Sequence, residues 1–264
     1  MGELKKRVIT GICLAPVVAL LFYFLPAGWL LLLLLAVGAI AVHEAAALTD
    51  APMKPLVAVL VIAGALPLFQ GRYQHYPLWV MASVLVMIFI KIFDRKSPVE
   101  TANREITGQA AVILFGNAFI LVPFFYLYLL KKEGALFPFI LLLSIWASDT
   151  FAYFIGKNLG KHRLAPQISP KKTVEGLAGS ALGSLVVIAA FHTYLGFGLY
   201  TALAVGIAAG ILGQAGDLME SACKRVFKIK DSSGLIPGHG GILDRIDSFI
   251  FTAPFLYSCI LWTR

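Results

Sequence analysis

The sequence predicts an all-α integral membrane protein, a polytopic bundle of about nine transmembrane helices. Two compositional facts and one pattern carry that expectation. Apolar residues make up 59% of the 264 positions and charged residues only 14%, against about 45–50% and about 25% in soluble domains. Mean hydropathy is +0.84. Apolar runs long enough to cross a bilayer core of about 30 Å recur along the whole length, which argues against both a β-barrel and a single anchor.

Taken in order, the candidate spans are 8–25, 28–48, 55–70, 77–93, 108–130, 135–156, 176–193, 197–222 and 246–263. The first follows Leu4-Lys5-Lys6-Arg7, which imitates a secretory signal. Two apolar runs precede the cleavage-like Ala45-Ala46-Ala47, too much for a signal core of about 7–15 residues, so this is read as an uncleaved span. Only Pro26-Ala27 separates the first two runs, a tight hairpin. His43 and Glu44, near the end of the second, read as an interfacial pair rather than a catalytic one. The third and seventh runs are short for a bilayer. Cys13, Cys223 and Cys259 are isolated, which suggests neither a disulfide framework nor a zinc site. The chain reads as one membrane domain, 1–264, with N-terminal spans in 8–130 and chemistry-bearing spans in 135–264.

The net charge of +8 suggests short basic loops between spans rather than a nucleic-acid partner. With the N-terminus inside, alternate loops place 18 of the 22 lysines and arginines on one side. Only Arg72, Lys131, Lys132 and Arg264 fall on the other. The excess of basic residues in cytoplasmic loops then predicts a cytoplasmic N-terminus, an external C-terminus and an odd number of spans. The longest polar connections, 94–107, 157–175 and 223–245, all land inside.

Two of these connections border chemistry. Asp217, Glu220, Ser221 and Lys224 recur at i, i+3, i+4 and i+7, one face of a helix that continues the eighth run. A basic patch (Lys224, Arg225, Lys228, Lys230), the turn Pro237-Gly238-His239-Gly240-Gly241 and then Asp244, Arg245 and Asp247 follow. Aspartates are hard oxygen ligands of the kind Mg²⁺ prefers, glycine N–H groups can cradle an anion, and the cations balance phosphate charge. Upstream, Asp149 lies late in the sixth run, where a charged residue is a functional candidate. Tyr153 and Gly156 share its helix face, and the loop Ser169-Pro170-Lys171-Lys172-Thr173-Val174-Glu175-Gly176 follows.

Ser221-x-x-Lys224-Arg225, Lys230-Asp231 and Ile236-Pro237-x-His239-Gly240-Gly241-Ile242-x-Asp244-Arg245-Ile246-Asp247 resemble the signature of bacterial-type phosphatidate cytidylyltransferases (CDP-diacylglycerol synthases). The Asp149–Gly156 span end and the Ser169–Gly176 loop resemble a second pattern of that family, in the right order. Cys223 departs from it, standing where a larger apolar residue is usual. Resemblance is dense over about 145–250 and faint in the first hundred residues.

The resemblance implies transfer of the CMP moiety of CTP to phosphatidate, giving CDP-diacylglycerol and pyrophosphate for phospholipid biosynthesis. Its site would lie at the cytoplasmic face of a homodimer in a bacterial cell inner membrane. Both reactants are polyanions, so metal and cationic side chains must offset their repulsion. On this reading Asp217 and Asp244 hold Mg²⁺, and Asp149 and Asp247 are further ligands or their supports. A second metal or a monovalent cation is compatible with the same set. Asp217, Asp244, Lys224, Arg225 and Asp247 carry catalysis. Lys171, Lys172, Ser221, Lys230, His239, Gly240, Gly241 and Arg245 bind substrate, and Glu220 and Asp231 pair with nearby lysines. The rivals are a CTP-dependent polyprenol or lipid kinase, an ether-lipid cytidylyltransferase and, more remotely, a transporter.

Overall fold

The structure is a computed structural model that describes residues 3–49, 53–92, 99–227, 229, 232–235 and 240–263. Each of the nine apolar stretches overlaps helix. α1 (Glu3–Phe24) and α2 (Ala27–Leu48) form the expected hairpin, and α3 (Lys54–Ala63) and α4 (Ala65–Phe69) share the third stretch. α5 (Tyr76–Ile92) is the fourth. The fifth is one long helix built from α6 (Val99–Phe115), a π-helical turn at Gly116–Leu121 and α7 (Val122–Glu133). α8 (Leu136–Leu159), α9 (Val174–Ala190) with the short α10 (His192–Leu195), and α11 (Leu199–Val226) follow. A single turn, α12 (Leu243–Ile246), leads into α13 (Phe249–Trp262).

Among the described residues, five helices are long and apolar enough to cross a membrane: Ala27–Leu48, Tyr73–Lys91, Asn103–Glu133, Leu136–Leu159 and Leu199–Val226. The runs Cys13–Phe24, Lys54–Phe69 and Val174–Ala190 are apolar but shorter. Leu78, Met81, Leu85 and Phe89 on α5 form an exposed apolar stripe at helical spacing. Lipid, not water, suits such a surface. This is a membrane protein.

The all-helical expectation holds, with one small addition. Within 157–175, β1 (Arg163–Ala165) and β2 (Ser169–Thr173) pair antiparallel, Arg163 opposite Thr173 and Ala165 opposite Ser169. Three- and five-residue strands are too short to show an alternating apolar pattern, and Pro170 masks β2 further. Thr173 ends the hairpin and starts α9, its Oγ1 accepting the Gly176 N–H at 3.0 Å as an N-cap.

One apolar core cluster runs from Phe22 on α1 to Ile260 on α13 and joins both halves of the chain. Where α8, α9 and α11 meet, glycines replace that bulk. A Cβ at Gly179 or Gly183 would strike the backbone of Phe151 or Ala147 on α8. One at Gly206 or Gly210 would strike Leu185 or Ser180 and Ala181 on α9. In each helix the two glycines are four residues apart, the small-xxx-small spacing that lets helix backbones close up inside a membrane. Hydroxyls seal the seam: Ser148 and Ser180 share a short hydrogen bond, and Ser180 Oγ donates to the Gly210 carbonyl at 2.8 Å. This tight triple sets the spacing of Asp149 and Asp217.

Candidate functional site

The C-terminal turns of α11 present their polar face as the i, i+3, i+4, i+7 spacing requires. Ser221 Oγ donates to Asp217 Oδ1 at 3.3 Å, and the Lys224 ammonium stands 2.6 Å from Glu220 Oε2. The same ammonium reaches Asp244 Oδ1 on α12 at 2.5 Å, so one buried cation joins two helical segments. Gly216 makes the approach possible, because a Cβ there would overlap the Asp247 carbonyl oxygen. From the hairpin, Lys172 Nζ comes within 2.8 Å of Asp217 Oδ2, an ion pair by distance without hydrogen-bond alignment.

Asp149, Asp217, Glu220, Lys224, Asp244, Arg245, Asp247 and Ser248 thereby line one polar cavity of about 200 Å³. At its edge Gln214 Nε2 donates weakly to Asp149 Oδ1, at 3.4 Å. Asp247 Oδ1 accepts from the Ser248 N–H at 2.7 Å. Of the carboxylates lining the cavity, Asp244 is the most heavily bonded: besides Lys224, its Oδ2 accepts from Gly241 N at 2.8 Å and from Ser232 N and Oγ, both at 3.1 Å. Burial pushes the Asp244 carboxyl up, but Lys224 and the Gly241 and Ser232 N–H groups outweigh it, and the net shift is down.

The expected residues thus divide. Asp149, Lys172, Asp217, Ser221, Lys224, Asp244, Arg245 and Asp247 converge, and Glu220 pairs with Lys224 as expected. Lys171 is exposed; its neighbour Lys172 takes the inward face because successive strand side chains alternate. Arg225 lies outside the cavity lining and donates to the carbonyls of Ile168 (3.0 Å) and Ile229 (2.8 Å), pinning the hairpin to the end of α11. Gly240 and Gly241 lie against Asp244, and Gly240 adopts φ +79°. Lys230, Asp231 and His239 lie outside the described residues.

The reading of His43 and Glu44 as an interfacial pair is corrected. His43 is exposed, but Glu44 is buried and accepts hydrogen bonds from the 232–243 segment. Ser232, Ser233, Gln214 and Ser248 were also missed. A carboxylate inside an apolar run was the available signal for Glu44; uncharged serines and glutamine gave none.

Among the described residues, no group of three or more His, Cys, Asp or Glu side chains is gathered tightly enough to hold a metal by itself. The donor chemistry nonetheless suits a hard cation. Five carboxylates line the cavity against Lys224 and Arg245, and Glu220 Oε1 is buried without a hydrogen-bond partner. Mg²⁺ commonly takes only one or two protein carboxylates and completes its shell with water and phosphate. The residues present therefore fit such an ion as a shared site, incomplete until a phosphate arrives.

The Cytidylyltransferase family profile matches residues 5–262. The chain belongs to that family. It is 33% identical over 266 residues to a phosphatidate cytidylyltransferase of Bacillus subtilis, covering 97% of each chain. It is 41% identical over 178 residues to the Staphylococcus saprophyticus protein of the same name, covering 67% of each. The Staphylococcus aureus protein is 40% identical over 189 residues, 69% of this chain and 72% of that one. The family match includes the first hundred residues, where the sequence patterns were faint.

Proposed function

We propose that this cytidylyltransferase joins CTP and phosphatidate into CDP-diacylglycerol and pyrophosphate. The observation that carries the reading is the one cavity in which Lys224 and Arg245 meet Asp149, Asp217 and Asp247, with Lys172 at its edge. A phosphate oxygen of phosphatidate attacks the α-phosphorus of CTP. The bond from that phosphorus to the bridging oxygen breaks, and the electron pair leaves on pyrophosphate. The attacking phosphate is already ionised at neutral pH, so no covalent enzyme intermediate is needed. The protein's task is positioning and charge compensation.

Arg245 is exposed at the cavity and forms no salt bridge among the described residues, so its guanidinium is available for a phosphate. Lys172 and Lys224 are held by carboxylates, which keeps both cations in place before substrate binds. Asp217, Asp247 and Asp149 would hold Mg²⁺. Asp244 would join them only by yielding Lys224 or a loop N–H. Bound there, the metal supplies charge neutralisation for the phosphates and for the departing pyrophosphate. Ser221 and Gln214 orient Asp217 and Asp149. In this reading the helices form nine spans, with the N-terminus cytoplasmic, the C-terminus outside and the site at the cytoplasmic face of a bacterial inner membrane. CTP enters from water, phosphatidate arrives sideways from the bilayer, and the enzyme works as a homodimer.

The test is product formation from labelled CTP and phosphatidate in detergent micelles, with and without Mg²⁺, in wild type and Asp217→Asn. Polyprenol and ether-lipid phosphates serve as competing acceptors. Calorimetric titration with Mg²⁺ reads metal binding apart from turnover. Metal-dependent CDP-diacylglycerol that vanishes in folded Asp217→Asn is the expected result. Monodisperse wild type that leaves CTP untouched beside phosphatidate overturns the proposal.

A further inference from the structure

Glu44 is remote in sequence from every motif above. It sits on α2 and is 6% exposed, an expensive place for a carboxylate unless every lone pair is used. Its partners are all in the signature region. Oε1 accepts from Ser233 Oγ at 2.6 Å and Ile242 N at 3.1 Å; Oε2 accepts from Ser232 Oγ at 3.0 Å and Leu243 N at 2.9 Å. These bonds span 188 to 199 residues of sequence. One carboxylate therefore ties down both ends of the segment between 232 and 243, at the serines and at the start of α12.

The tie continues into the cavity. Ser232 Oγ stands between Glu44 Oε2 and Asp244 Oδ2, at 3.0 and 3.1 Å, so its single proton is shared by two carboxylates. Gly241 fits only because it lacks a side chain, since a Cβ would overlap both Ser232 Oγ and Glu44 Oε2. Displacing Glu44 would thus shift Ser232 and the 241–243 backbone together, and with them Asp244, Arg245 and Asp247.

We infer that Glu44 is a positioning residue for the transferase reaction, the anchor through which the N-terminal half sets the geometry of the Asp244–Asp247 turn. This rests on the function proposed above. Glu44 touches no reacting atom; it acts through Ser232 and the Ile242 and Leu243 N–H groups. Glu44→Gln keeps the volume but replaces one acceptor oxygen with a donor facing N–H and O–H groups that need acceptors.

The experiment compares kcat and KM for both substrates, per folded and monodisperse enzyme, in wild type, Glu44→Gln, Ser232→Ala and their double variant. Hydrogen exchange over residues 240–247 is measured alongside. The expected result is a kcat for Glu44→Gln lower by about 10²-fold, the scale of a misplacement near 1 Å, with KM changing far less. Exchange should quicken, and the double variant should lose less than the two single losses combined. A folded Glu44→Gln with wild-type kcat and unchanged exchange overturns the inference, even if its melting temperature falls. Should Glu44→Gln not fold, Ser232→Ala and Ser233→Ala remove the other side of the same bonds and are judged on the same criteria. A wild type inactive on every lipid phosphate sinks the proposed function instead, and the exchange data then decide the role of Glu44 alone.

Discussion

Replacing Lys224 by methionine tests the strongest electrostatic element of the site. The ammonium is buried between Glu220 Oε2 at 2.6 Å and Asp244 Oδ1 at 2.5 Å, and the two carboxylates are 1% and 6% exposed. At an effective dielectric constant of 20, each contact carries about 6 kcal/mol of Coulomb attraction, much of it offset by the desolvation of all three groups. Methionine keeps the volume and removes the charge. Two buried carboxylate oxygens that shared one nitrogen then face each other within about 5 Å with no counter-ion, so they either repel or force a proton onto one of them. Breaking a buried pair in this way costs about 3–5 kcal/mol. At about 2–4 °C per kcal/mol, the melting temperature should fall on the order of 10 °C. Thermal unfolding in detergent at neutral pH reads the change, and adding Glu220→Gln to Lys224→Met should recover a large part of it. A Lys224→Met protein melting within about 2 °C of wild type, or a double variant worse than the single, would refute the charge argument.

Three further outcomes follow from the same geometry. The folded-state pKa of Asp244 is depressed below its ordinary value of 3.8, so its stabilisation is full above that value and lost as pH falls through the lower one. The stability gap between wild type and Asp244→Asn should hold steady above about pH 5 and close below about pH 4; denaturant titration over that range reads the gap, and one that stays constant would contradict the assignment. Gly216→Ala should cost about 1–3 kcal/mol by overpacking and impair CDP-diacylglycerol formation, because its Cβ meets the Asp247 carbonyl. Gly213→Ala on the same helix, whose Cβ meets only Thr252 Cγ2 at 3.7 Å, should leave the melting temperature level or higher, and equal losses from both would show that backbone approach at Gly216 does not matter. Thr173→Ala removes the N-cap of α9 and should cost about 1 kcal/mol, with Thr173→Ser retaining most of it; unfolding curves that rank the serine variant with alanine would discount the cap.

The sequence alone determined what is local or chemically loud. Hydropathy located the helices, because a span must satisfy its own backbone and show lipid an apolar surface over a fixed length. Helical spacing put Asp217, Glu220, Ser221 and Lys224 on one face, and the dense polar pattern of 217–248 carried the family. Tertiary structure decided the partnerships. That Lys172 rather than Lys171 meets Asp217 depends on a hairpin too short for periodicity to reveal. That Arg225 holds backbone carbonyls instead of lining the cavity depends on where α11 ends against Ile168. Glu44 belongs to the site only because α2 packs beside α12, almost two hundred residues away. No spacing rule reaches that far, since chain closure over such a distance is set by the packing of the whole bundle and not by any local preference.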